Sequence, residues 1–248
     1  MNGLNHYMVS QAHMNSDKIV LANWKAHLSP EKAEQWLTDF ARDYKPLAGI
    51  QVILAVPSIN LEKLQKKCSR MKNVHLAGQD ISPFPQGGYT GAVPASWLSG
   101  LVEYVLVGHR ERHRYFRETV QDVANKVHEA VSAGLIPVVC LNRELLGRQI
   151  AAIETSDLDQ LIAAYTPDDA ESLELAGSAQ SVADFAELFS ERLRGCPLFY
   201  GGGVNEKNVA ELISLPQLSG VMTASACLDP HNFLVLLKNA ADALTLHS

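Results

Sequence analysis

From Lys18 to the end of the chain, short apolar runs alternate with longer amphipathic stretches, and this happens eight times. The runs are Ile19–Ala22, Val52–Val56, Val74–Ala77, Tyr104–Val107, Ile136–Leu141, Leu161–Tyr165, Leu198–Tyr200 and Gly220–Thr223. Several are continuously apolar rather than alternating, as expected of parallel strands covered on both faces. The stretches between them carry helix punctuation. Ser29-Pro30-Glu31 offers an N-cap, a first-turn proline and an acid. Glu118–Ala133 is followed by Gly134 in the C′ role. Ala179–Leu193 precedes Gly195 and Pro197, and Asp229–Leu244 begins beside Pro230.

Eight β-then-α units without a break in composition predict one α/β domain, residues 18–248, built as a closed (β/α)8 barrel. The alternative on periodicity alone is a doubly wound open sheet. A length of 248 residues fits one barrel or two small domains and does not decide between them. Residues 1–17 are polar, irregular and without an apolar signal core, and are expected to form a flexible N-terminal extension. A net charge of −6 argues against nucleic acid as a partner. No apolar run is long enough to predict a membrane span. The four cysteines, Cys68, Cys140, Cys196 and Cys227, lack metal-ligand spacing. Cys140 and Cys227, lying in or beside apolar runs, are expected to be buried thiols in a reducing cytoplasm.

In a barrel, chemistry belongs at the C-terminal strand ends. The first strand runs into Asn23-Trp24-Lys25, where an ammonium can attract a phosphate or polarise a carbonyl, unless Lys25 is merely a solvated loop residue. The fourth runs into Gly108-His109-Arg110-Glu111-Arg112. His109 there can serve as electrophile or proton shuttle, or be a structural histidine bonded to a loop. The seventh and eighth end in Gly201-Gly202-Gly203 and Thr223-Ala224-Ser225-Ala226. Such small residues let backbone N–H groups approach a phosphate, although a glycine triplet also makes a tight turn.

Taken together, Asn23-Trp24-Lys25, Gly78-Gln79-Asp80, Gly88-Tyr89-Thr90-Gly91, Val107-Gly108-His109 with Glu111-Arg112, and Tyr200-Gly201-Gly202 occur in the order and approximate spacing of triosephosphate isomerases. The chain from about Lys18 to Leu244 resembles that family. The resemblance implies a TIM barrel, a cytoplasmic glycolytic role, and interconversion of two triose phosphates through an enediolate, with no cofactor or metal. This family is itself a standing worked example of a glutamate base, a neutral histidine electrophile and a closing lid. By motif, Asn23 and Lys25 match the substrate-contacting asparagine and lysine, and His109 the electrophile. Glu111 matches a supporting carboxylate, and Gly202, Gly203, Ala224 and Ser225 the phosphate site. The Gly87–Gly91 loop resembles one that inserts into a neighbouring subunit, which implies a homodimer.

Against that pattern, the sixth strand should end in glutamate-proline and here reads Tyr165-Thr166-Pro167. A threonine hydroxyl cannot exchange a proton near neutral pH as a general base must, and loss of such a base costs about 10²–10⁴ in rate. The lid segment that follows carries Asp168, Asp169, Glu171 and Glu174, charges that oppose closure over a phosphate dianion. Arg110 replaces the serine usual after the histidine, adding charge and bulk at the mouth, and is counted among the candidate substrate-binding residues. Arg143 stands where many members have an acid, and Ala92 replaces an acid in the third loop. The short stretch from Arg143 to Asp159 predicts a shortened fifth helix. Three readings follow: a homologue that has lost ordinary isomerisation but keeps a pocket for a small phosphorylated metabolite; a working isomerase with Asp168 or Glu171 as relocated base; or a non-catalytic barrel serving as scaffold.

Overall fold

The computed structural model describes residues 17–167, 178–193 and 195–245. The predicted extension, residues 1–17, therefore lies outside the described residues except for Asp17. Eight strands form the barrel: β1 (Lys18–Asn23), β2 (Ile50–Val56), β3 (Val74–Gly78), β4 (Tyr104–Val107), β5 (Ile136–Leu141), β6 (Ile162–Tyr165), β7 (Leu198–Tyr200) and β8 (Gly220–Thr223). Each pairs in parallel with its neighbours, and β8 closes on β1, so the open sheet is excluded.

The two-residue period of a strand sorts its side chains into two apolar layers. Ile19 and Leu21 of β1 join Ile53, Leu106, Val138, Ile162 and Phe199 inside the barrel. Val20 and Ala22 face the helices, as do Val52, Leu54 and Val221. Burial on both faces explains why these strands read as unbroken apolar runs. Closure of β8 on β1 depends on Gly220. A Cβ there would lie 2.3 Å from the Ile19 carbonyl oxygen and 2.9 Å from the Phe199 ring.

The helices are α1 (Pro30–Asp43), α2 (Ser58–Cys68), α3 (Ala95–Leu98), α4 (Arg110–Phe116), α5 (Val120–Ser132), α6 (Leu146–Ala152), α7 (Thr155–Leu158), α8 (Ala179–Ser190), α9 (Val209–Ile213) and α10 (Pro230–Thr245). Ser29 caps α1 through its side chain, as its sequence signature predicts. Gly134 follows α5 at φ +75°, with Leu135 N–H donating to the Ala130 carbonyl and Gly134 N–H to that of Val131. Those two bonds make a Schellman end. The helix begins later than Glu118, because Thr119 and Asp122 form a reciprocal capping box. Glu118 is left outside to pair with cations. The shortened fifth helix is observed as two fragments, α6 and α7. Cys140 and Cys227 are buried and unpaired, and burial pushes both thiols up. Among the described residues, no helix is long and apolar enough to cross a membrane.

Candidate functional site

Asn23 ends β1, and its Oδ1 accepts the Lys25 backbone N–H at 3.0 Å. This local bond folds the chain back after the strand and helps hold Lys25 at φ +49°. A left-handed lysine is uncommon, and such strain persists where the surroundings impose it. Gln79, just beyond β3, supplies more restraint: its Nε2 donates to the Lys25 carbonyl at 3.0 Å and to the Ala55 carbonyl at 2.9 Å. The ammonium so placed meets Glu111 Oε1 at 2.6 Å, with both side chains partly exposed at the mouth.

His109 follows β4, is 8% exposed and caps α4. Its Nδ1 accepts the Glu111 backbone N–H at 3.3 Å, while Glu111 Oε2 lies 3.4 Å from the same nitrogen. These two contacts ask opposite things of Nδ1. The backbone N–H can only donate and sits in a helix first turn without an intrahelical acceptor, so the accepting role for Nδ1 is preferred. A neutral ring then carries its proton on Nε2, the other nitrogen.

Behind this corner stands an ion cluster in which Lys126 and Glu118 are buried and Asp80 and Arg112 half-buried. Lys126 of α5 contacts Asp80 Oδ1 at 2.6 Å and also Glu118, while Arg112 Nε reaches Asp80 at 2.9 Å and Glu118 at 2.7 Å. The cluster ties the rim after β3 to that after β4. Burial pushes the Asp80 carboxyl above its ordinary value, an effect opposed by Lys126 and Arg112.

Across the mouth, Thr166 follows β6 and is 3% exposed. Its backbone N–H donates to the Leu141 carbonyl at 2.8 Å, and its hydroxyl lies 3.4 Å from the same oxygen. Gly201 makes room for it: a Cβ on Gly201 would sit 3.1 Å from Thr166 Cγ2 and 2.6 Å from Met222 Cε. Arg110 crosses from α4 to this side, where its Nη1 donates to the Pro167 carbonyl at 3.0 Å. At the remaining corner, Thr223 Oγ1 donates to the Val204 carbonyl at 2.7 Å and fastens β8 to the loop after β7. Gly203 adopts φ +60°, and a 3₁₀ turn spans Ser225–Cys227.

These ends surround one cavity of about 980 Å³. Asn23, Lys25, His109, Arg110, Thr166, Gly203, Ala224 and Ser225 line it. Two predicted residues do not. Glu111 contacts Lys25 and His109 and lines the adjoining pocket, and Gly202 is buried, with Gly201 and Gly203 forming the wall instead. Arg143, at the end of β5, lies with its guanidinium 5.8 Å from the Phe185 ring centre. Asp168, Asp169, Glu171 and Glu174 lie outside the described residues. Sequence reasoning missed His27, Lys207 and Glu211 in the wall, as well as the restraining role of Gln79. Lys207 could have been found by extending the loop after Gly203, since a cation close behind a glycine turn suits an anion.

Compared with known families, residues 18–240 match the family model for triosephosphate isomerase. The chain belongs to the triosephosphate isomerase family. It is 31% identical over 250 residues to a triosephosphate isomerase of Thermus thermophilus, a match covering 90% of this chain and 98% of that protein. A triosephosphate isomerase of Dehalococcoides mccartyi is 30% identical over 245 residues, covering 90% and 96%. One of Streptococcus suis is 30% identical over 254 residues, covering 90% and 99%. As a triosephosphate isomerase homologue, the chain brings Asn23, Lys25 and His109 into one cavity with Thr166. The resemblance calls for glutamate at that last position.

Proposed function

We propose that this barrel binds a small phosphorylated metabolite and carries out little or no ordinary triose-phosphate isomerisation. The observation carrying this reading is the position of Thr166, at the end of β6 in the same cavity as Lys25 and His109. Isomerisation of a triose phosphate needs a base that removes a proton from one carbon and returns it to the next. An electrophile near the carbonyl can polarise it, and the Nε2 side of His109 and the Lys25 ammonium suit that task. The hydroxyl of Thr166 cannot supply the base. The barrier is then higher by about 3–5 kcal/mol than with a positioned carboxylate.

Support for the phosphate half of the reading comes from Gly203, Ala224 and Ser225 in the wall, with Lys207 nearby. Glycerol 3-phosphate, which has the phosphate but no carbonyl, should raise the melting temperature of the full chain. Isomerase turnover measured beside it should be near background. Turnover within about tenfold of an ordinary family member would refute the reading. Alanine at Asp168, Asp169 and Glu171 in turn would then reveal a relocated base. Absence of any thermal shift, with Lys25→Ala and His109→Ala tolerated, would point to a scaffold.

The same reading includes a homodimer through the Gly87–Gly91 loop in a reducing cytoplasm. The dimer is supported by exposed Tyr89 within that loop and exposed Phe84 just before it, whose rings stack at 4.6 Å. Sedimentation of the purified chain tests the dimer: a species of twice the chain mass is expected.

A further inference from the structure

We infer that the helical layer outside the barrel carries a second site, for one divalent transition-metal ion of the zinc class, built by His128, Glu154 and Asp157. Each offers one ligand atom, and the three atoms lie within 4.8 Å of one another, the one such group among the described residues. They come from two elements: His128 from α5, and the other two from the start of the short α7. Glu154 and Asp157 are three residues apart. The Asp157 N–H donates to the Glu154 carbonyl at 2.9 Å, a turn that sets both side chains on one face. His128 Nδ1 stands 3.1 Å from Asp157 Oδ2. Ligand atoms around a tetrahedral ion with bonds of about 2.0–2.1 Å sit roughly 3.4 Å apart, so this pair already has the spacing of a coordination edge. Glu154 is exposed and free to close the third corner. None of the three lines the cavity at the strand ends.

The charge around Asp157 calls for a cation. Its side chain is 6% exposed, and a carboxylate so deeply buried is costly unless a positive partner or several hydrogen bonds offset the lost hydration. Buried Glu118 has both Lys126 and Arg112. Asp157 has only the imidazole and, at 3.5 Å, the Ser156 hydroxyl. Among the described residues, no lysine or arginine forms an ion pair with Asp157 or with Glu154. Glu154 holds the N-cap position of α7, yet its side chain makes no cap bond, so its oxygens remain available. One imidazole nitrogen with two carboxylate oxygens suits zinc or cobalt(II), whereas magnesium and calcium prefer shells of oxygen alone. Water fills the fourth position of such a site. Only a neutral imidazole with its proton on Nε2 can coordinate through Nδ1, so binding weakens in acid. The bound ion fastens α7 to α5. That is a useful bond here, because the two fragments standing in for the fifth helix are too short to hold themselves, and neither has a side-chain cap.

Calorimetric titration of the full chain with zinc chloride, after treatment with a chelator and dialysis into phosphate-free buffer near pH 7, tests this directly. One ion per chain is expected, with a Kd on the order of micromolar. Glu154→Gln should weaken that binding about tenfold, and His128→Ala should abolish it. Both replaced side chains are exposed, so neither variant disturbs packing. Zinc should raise the melting temperature of the unaltered chain and leave that of His128→Ala where it was. Cobalt(II) in place of zinc should give the visible absorption of a four-coordinate ion, and that signal should disappear in His128→Ala. Zinc bound one to one by His128→Ala would be held by others of the nine histidines and overturns the inference. So does a chain that binds no zinc in the micromolar range, in which His128 and Asp157 are a plain side-chain pair. Calcium bound as tightly as zinc overturns the assigned class of ion.

Discussion

At the ends of β1 and β4, the side chains hold one another: Asn23 and Gln79 restrain the left-handed turn at Lys25, Lys25 pairs with Glu111, and the Glu111 N–H bonds His109. At the end of β6, Thr166 is held by a backbone bond and by packing against Gly201, and its own hydroxyl has only a long contact. The first corner is a closed set in which any replacement leaves a partner unmatched. The second is a slot whose occupant is not dictated by its neighbours. A family can therefore change the chemistry of the slot and leave the barrel and the opposite corner intact. Beside this slot stands Arg110, bonded to the residue after it.

The largest expected effect exploits that independence. Thr166→Glu should raise isomerase turnover by about 10²–10⁴ over the unaltered chain, provided that the first corner is still set for catalysis. A coupled assay with glyceraldehyde 3-phosphate measures it. No gain, in a variant that still folds and binds glycerol 3-phosphate, would mean that the two corners have diverged together. The next effect breaks the closed set. Gln79→Ala removes two hydrogen bonds and leaves the Lys25 carbonyl without the donor, whereas the Ala55 carbonyl keeps the Trp24 N–H. A loss of about 2 kcal/mol is expected, read as a lower urea midpoint at constant slope. A loss under about 0.5 kcal/mol would show that the turn at Lys25 holds itself.

How much of this was legible in the sequence follows from the kind of interaction involved. The strands could be located closely because two-sided burial makes each a continuous apolar run. Where a buried polar residue extends a strand, as Gln51 and Asn23 do, the apolar pattern fell short. The helices α1, α8 and α10 were found from caps, prolines and amphipathic spacing. In contrast, α4 was invisible, since Arg110-Glu111-Arg112-His113-Arg114 has no apolar period and none of its residues is buried. Asn23, Lys25 and His109 could be named because strand ends say where to look. The bonds that make them a unit join residues 54 apart for Gln79 and Lys25, and 57 apart for Arg110 and Pro167. No local spacing encodes such distances.

Two smaller effects sharpen the contrast from the other side. Thr223→Val removes the 2.7 Å bond to the Val204 carbonyl in a buried place, and should cost about 1 kcal/mol in chemical denaturation. It would show that the β7–β8 corner is fastened as the β1–β4 corner is. Thr166→Val should do almost nothing. The hydroxyl-to-carbonyl distance of 3.4 Å is at the edge of hydrogen bonding. The Leu141 oxygen it approaches already receives the backbone N–H of the same residue at 2.8 Å. Valine fills nearly the same volume and keeps the methyl group that faces Gly201. The expected change is below about 0.5 kcal/mol, within the range of a neutral substitution. Affinity for glycerol 3-phosphate should also be unchanged. If instead the variant lost about 1.5 kcal/mol or more, the hydroxyl would be structural. The β6 end would then be as tightly specified as the corner opposite, and the contrast between the two corners would fall.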